Sequence, residues 1–158
     1  MKKIFITIIL VLGFTWNVFA AGTINQTVTD VPETTVLAAT KVVTFTCVGD
    51  SSGGSFPSTA LSAANLEKIS GMYIVEVRTY PQTTNPTAAW DAVINDAGGL
   101  DLMGGTLANR SASAAERAIP AMATSIYGGS PIIDAPTLVI TGNSVNSAGI
   151  IIKVILSR

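Results

Sequence analysis

Apolar and polar residues alternate over Lys41–Val48, with Val43, Phe45 and Cys47 on one side. That period of two marks a strand with one face on a core. Residues 72–80 repeat the pattern and predict Tyr73, Val75 and Val77 on one face, Glu76 and Arg78 on the other. In residues 88–95, Trp90, Ala92 and Ile94 share a side opposite Asp91 and Asn95. Residues 137–141 and 150–156 are further strands. In the last, Ile150, Ile152, Val154 and Leu156 fall on one face and Ile151, Lys153 and Ile155 on the other, so both faces are largely apolar and need cover. Residues 22–31 read as a polar edge strand or arm that Pro32 ends, because proline cannot donate to a ladder.

Two segments break the alternation. Residues 59–70 read as a short helix or irregular chain, with Gly71 where a helix-ending glycine would stand. Ala112 to Ala118 reads as a helical turn limited by Pro120. Gly49–Gly54, Pro81–Pro86, Asp96–Gly99 and Gly142–Gly149 supply turns and loops. Short strands separated by such turns predict an all-β chain: an antiparallel β-sandwich, of jelly-roll or immunoglobulin-like type, with one or two short helical segments.

Residues 1–20 carry Lys2 and Lys3, an uncharged apolar run from Ile4 to Phe14 and the small Ala20. This is the order of a secretory signal peptide, and the run is too short for a membrane-spanning helix. Cleavage after Ala20 leaves residues 21–158 as a single β-sandwich domain, exported to the periplasm, cell surface or exterior, with no membrane attachment of its own. It also leaves seven basic against ten acidic residues. No basic cluster stands out along the chain, which argues against a nucleic-acid partner. So few charges suit a surface covered by neighbouring subunits. Cys47 is the only cysteine and reads as a buried thiol.

The chain has no histidine, which removes Ser–His–Asp and Cys–His catalysis and the usual zinc sites. Gly49-Asp50-Ser51-Ser52-Gly53 matches the G-x-S-x-G nucleophile pattern and the surroundings of the serine in trypsin-like proteases. A serine needs a base to take its proton, however, and no lysine follows a serine at the spacing that would supply one. The segment therefore reads as a turn. Glu33, Glu67, Glu76 and Glu116 are the glutamates open to a paired-carboxylate mechanism, although Glu76 and Arg78 read as a solvated ion pair. Asp96 and Asp101 flank a glycine turn near Asp91 and are weak calcium candidates, since Ala97 and Gly99 take positions where an EF-hand-type loop puts oxygen ligands. No cofactor is expected. Asn25-Gln26-Thr27 and Asn109-Arg110-Ser111 match the glycosylation sequon but follow a signal of bacterial style.

The segment GMYIVEVRTYPQTTNPTAAWDAVINDAGGLDLMGGTLANRSASAAERAIP, with the later TLVITGNSVNSAGIIIKVIL, resembles a group of small bacteriophage and prophage proteins. The shared order is a strand ending at a proline, a TNPT loop, an aromatic-Asp strand, an Asn-Asp turn, the GG-x-LANR segment and a closing strand with NSVNSA. The resemblance implies a virion-associated structural or accessory β protein with no catalytic residues to carry over. A signal peptide departs from that picture, because virion proteins assembled in the cytoplasm do not need one.

The expectation is a non-catalytic exported structural or interaction protein, a subunit of a surface or phage-like assembly, partnered by copies of itself or by other subunits. Ile151 and Ile155 are its candidate interface. The alternative is an extracellular ligand-binding or adhesion module, with calcium as an optional aid, using Asp96, Asp101, Asn109 and Arg110.

Overall fold

The computed structural model describes residues 21–31, 39–123 and 126–158. The expected signal peptide, Pro32 and Glu33 lie outside the described residues. The elements are β1 (Thr23–Asp30), β2 (Thr40–Val48), β3 (Thr59–Ala60), α1 (Ala63–Ile69), β4 (Tyr73–Pro81), β5 (Asp91–Asn95), β6 (Glu116–Ala118), β7 (Ala121–Ala123), β8 (Ile126–Tyr127), β9 (Ser130–Pro131), β10 (Thr137–Thr141) and β11 (Gly149–Ser157). The larger sheet runs β1-β2-β11-β4-β6, with β9 also pairing with β4, the smaller layer runs β3-β10-β5, and β7 and β8 form a separate two-stranded ribbon. Every pairing is antiparallel. The chain is an all-β, sandwich-like fold.

The two sheets meet through the alternation. Val43, Phe45 and Cys47 of β2 and Ile150, Ile152, Val154 and Leu156 of β11 are buried, as are Ala92 and Ile94 of β5 and Leu138 and Ile140 of β10. Each such aliphatic side chain taken fully from water contributes about 1.5–3 kcal/mol. The gap lined by Val43, Phe45, Ile94, Leu138 and Val154 holds only about 10 Å3. That is at the lower limit for a single water, so the interlayer space is packed core rather than a ligand chamber. β11 lies between β2 and β4 in the larger sheet; its Ile150, Ile152, Val154 and Leu156 face is buried in the core, while Ile151 and Ile155 on the other face are half-buried and Lys153 is exposed.

Strand β4 departs from simple alternation. Glu76 stands opposite Ile155 while Ile74 stands opposite Leu156, so Val75 is an extra residue. Such a bulge switches the facing of everything before it. The buried residues are therefore Ile74, Val77 and Thr79, whereas Tyr73 and Val75, expected beside Val77, are exposed. The expectation for residues 73–75 is corrected on this ground.

Within residues 59–70 the chain forms the two-residue strand β3 and then one short helix, α1. Ser62 caps its N-terminus by accepting from the Asn65 amide, and Gly71 leaves it at φ +75°. Seven residues are too few for a helix to persist alone. Ile69 is buried and Leu66 packs against the core, and Gln26 of β1 accepts from the Ser62 amide at 2.9 Å and donates to the Ala60 carbonyl at 2.6 Å.

The helical turn expected over Ala112–Ala118 is replaced by a strand. Glu116–Ala118 pair with Val77–Thr79, so ladder bonds to β4 override the local helix preference of alanine. The preceding chain turns on Ser111, whose Oγ accepts from the amides of Ser113 and Ala114. One helix remains among the described residues, and it is not long and apolar enough to cross a membrane.

Thr79 faces the core opposite Ile152, 1% exposed, and its Oγ1 has no hydrogen-bond partner. A buried hydroxyl without a partner loses its hydration for nothing in return. Thr79→Val, which keeps the shape and removes the hydroxyl, is expected to stabilise the protein by about 1 kcal/mol. Urea denaturation checks this; a destabilised variant would show that the hydroxyl is bonded after all.

Candidate functional site

Three places gather the residues singled out by the sequence. The first is the turn at Gly49–Ser55, which is wound around one carboxylate. Asp50 Oδ1 accepts from the amides of Ser52 (2.8 Å), Gly53 (2.5 Å) and Gly54 (3.2 Å), and Oδ2 from the amide of Ser55 (2.9 Å) and its hydroxyl. These donors, the Ser55 hydroxyl foremost, hold the Asp50 carboxyl well below the usual carboxylate range. The G-x-S-x-G match is thus a turn organised by Asp50, and the acid beside the serine is occupied in shaping it.

This turn is fastened to two other loops by Asn143. Its Nδ2 donates to the carbonyls of Gly54 (2.5 Å) and Val145 (3.0 Å), and its Oδ1 accepts from the Thr87 amide (2.9 Å). The Thr87 and Ser144 hydroxyls meet at 3.1 Å, and the Gly149 amide donates to the Thr84 carbonyl. The TNPT and NSVNSA segments therefore form one polar junction at an end of the sandwich. Sequence reasoning placed both in loops but missed the role of Asn143, since an amide satisfying two distant loops leaves no local pattern.

The second place is the loop-rich end. Asp96 and Asp101 line a depression of about 370 Å3 together with Leu100, Met122 and Ile133. Those three apolar side chains are exposed, at 67%, 67% and 76%. The carboxylates act on the backbone: Asp96 Oδ1 accepts from the Leu100 amide, and Asp101 accepts from the amides of Met103 and Gly105. Asp91 likewise accepts from the Asn109 amide. Among the described residues no group of three or more His, Cys, Asp or Glu side chains could hold a metal ion. Asn109 and Arg110, the other polar candidates, do not line the depression. Arg110 instead donates to the Ala108 carbonyl and lies 3.8 Å from Glu116.

The third place is the outer face of the larger sheet, where the register sets side chains in rows. Thr29, Val42, Ile155 and Glu76 form one row, Thr27, Thr44, Lys153, Arg78 and Arg117 the next, and Asn25, Thr46, Ile151 and Tyr80 a third. Ile151 and Ile155 are half-buried by these sheet neighbours, while Thr27, Thr29, Thr46, Arg78 and Lys153 are exposed.

The middle row sets three cations directly opposite one another on adjacent strands, an arrangement that is unfavourable without compensation. Part of the compensation is local. Glu76 bonds Arg78, which raises the Arg78 pKa, and Lys153 lies over the Tyr80 ring at 5.5 Å from its centroid. Residues 78, 117 and 153 are far apart in the chain, so no scan for basic clusters could find this row.

Cys47 is buried within the core, and burial pushes its thiol up to about 12. A thiol held protonated is inert toward oxidation and exchange. Comparison with known proteins adds nothing to this geometry: no protein-family model, curated protein or solved structure matches the chain.

Proposed function

We propose that this chain is a non-catalytic structural subunit, exported and built into a surface or phage-like assembly through the outer face of its larger sheet. The observation that carries the reading is the pair Ile151 and Ile155, half-buried on the threonine-rich outer face of the larger sheet. Apolar side chains set in a broad sheet face favour association with another surface. The cationic row through Lys153, Arg78 and Arg117 gives that association a direction, because a partner bringing acidic groups relieves a repulsion built into the sheet. The lack of histidine, the use of Asp50, Asp91, Asp96 and Asp101 as turn acceptors, and the engagement of Glu76 with Arg78 and of Glu116 with the Ser111 amide support the non-catalytic reading.

The test is Ile151→Asp with Ile155→Asp. Both side chains point away from the core, so the double variant should fold with the parent's circular dichroism. Its mass by light scattering coupled to size exclusion should fall below that of the parent assembly. A parent protein already monomeric, paired with a double variant that unfolds, would place these residues in the core and remove the support for the reading.

A further inference from the structure

β1 is an eight-residue edge strand, and its ladder geometry says which of its backbone groups are free. The Val31 amide donates to the Thr40 carbonyl, in the register that joins every β1 residue to β2. In an antiparallel ladder, bonded and non-bonded pairs alternate. Thr29, Thr27, Asn25 and Thr23 therefore bond β2, and the N–H and C=O groups of Ile24, Gln26, Val28 and Asp30 point outward. No described residue pairs with those outward amides.

The other sheet margins are protected. β6 and β9, which flank β4, are three and two residues long. The outer side of β5 is bonded by Leu102, Leu107 and Arg110 through Ile94, Ala92 and Trp90. β3 has two residues. β1 alone among the described strands is long and uncovered, and it lacks the usual defences: it has no proline, no bulge and no charge before its last residue, Asp30.

We infer that β1 pairs antiparallel with β1 of a second copy of this chain, about a two-fold axis through Gln26, joining the two larger sheets into one. The strand is self-complementary in that register. Gln26 meets its own copy as a bonded pair and Ile24 meets Val28, so the outward N–H and C=O groups of these residues are satisfied reciprocally. On the core side, Ile24 and Val28, which already pack against the core, would cover one another across the seam. On the outer side Thr23 meets Thr29 and Asn25 meets Thr27, pairings that sheets favour. The two Asp30 carboxylates fall at opposite ends, about 27 Å apart, beyond the reach of repulsion at physiological salt. A closed two-fold contact of this kind uses one surface twice. It rests on the subunit reading above and supplies a seam distinct from the outer face.

The experiment compares the full mature protein with Val28→Pro. The Val28 amide points outward, so proline removes a seam donor without removing a bond to β2. The parent should elute at the mass of two chains or a multiple of two, and Val28→Pro should halve that mass with an unchanged far-ultraviolet spectrum. If the proline variant does not fold, Val28→Lys serves, since lysine on an edge blocks a neighbouring strand. Amide exchange of the parent gives an independent reading: protection at Ile24, Gln26 and Val28 should rise at least about tenfold from dilute to concentrated protein.

Amides that stay unprotected at every concentration overturn the seam. An assembly that survives both Val28 variants yet dissociates on Ile151→Asp with Ile155→Asp overturns the seam and leaves the outer-face reading standing. Dissociation by the Val28 variants alone supports the seam and removes the outer face. A parent that is monomeric at all concentrations overturns both.

Discussion

Replacing Trp90 with alanine is expected to lower stability by about 3–5 kcal/mol, the range for emptying a large buried aromatic site. Trp90 has no exposed surface, and its indole N–H donates to the Ser111 carbonyl at 3.0 Å. Its own carbonyl accepts from the Arg110 amide at 2.7 Å. The side chain thus holds the 108–111 segment against the start of β5, and its loss leaves both a cavity and a carbonyl without its donor. Thermal denaturation followed by circular dichroism should show a midpoint lower by about 10–15 °C. Trp90→Phe retains most of the apolar volume and loses only the indole bond, so it should fall about 1–2 kcal/mol below the parent. An alanine variant melting within about 3 °C of the parent would show that the site collapses around the missing ring.

The next largest effect is expected from Gly54→Ala. Gly54 is at φ +70°, a conformation that costs an L-residue about 1–2 kcal/mol. A methyl group there would also be driven into the Val145 carbonyl, whose carbon lies 2.7 Å from the Cβ position, with Asn143 Nδ2 at 2.8 Å. Neither atom retreats freely, because Asn143 joins the Gly49–Ser55 turn to the loops at 84–87 and 143–145. Strain and weakened junction bonds together should destabilise the protein by about 3–4 kcal/mol. Urea denaturation checks the value. A loss below about 1 kcal/mol would mean that the junction yields without losing its bonds.

Much of the architecture was legible because burial has a period. The inward sets Val43, Phe45, Cys47 and Trp90, Ala92, Ile94 could be read directly, as could the four core residues of β11, since each strand there keeps an uninterrupted pleat. The reading failed where the pleat is broken or tertiary bonds override preference. The extra residue at Val75 reverses the facing of Tyr73 and Ile74, and no local signal marks it. The SASAAE run would favour a helical turn on its own, yet its end is drawn into the edge of the larger sheet.

At the candidate surfaces the division is the same. The hydrophobic alternation by itself determined the all-β class, the two-faced nature of β11 and the outward position of Ile151 and Ile155. Turn chemistry determined that Asp50, Asp96 and Asp101 sit in tight loops. Only the tertiary structure decided that Lys153, Arg78 and Arg117 stand in one row, that Asn143 ties three loops together, and that Asp96 and Asp101 share a depression that Asn109 and Arg110 do not line. It also decided that β1 is a margin whose outward backbone groups no described residue pairs with. Facing within a strand follows from the pleat of that strand and is written locally. Strand order and register follow from which distant segments pair, a choice made by the packing of the whole chain.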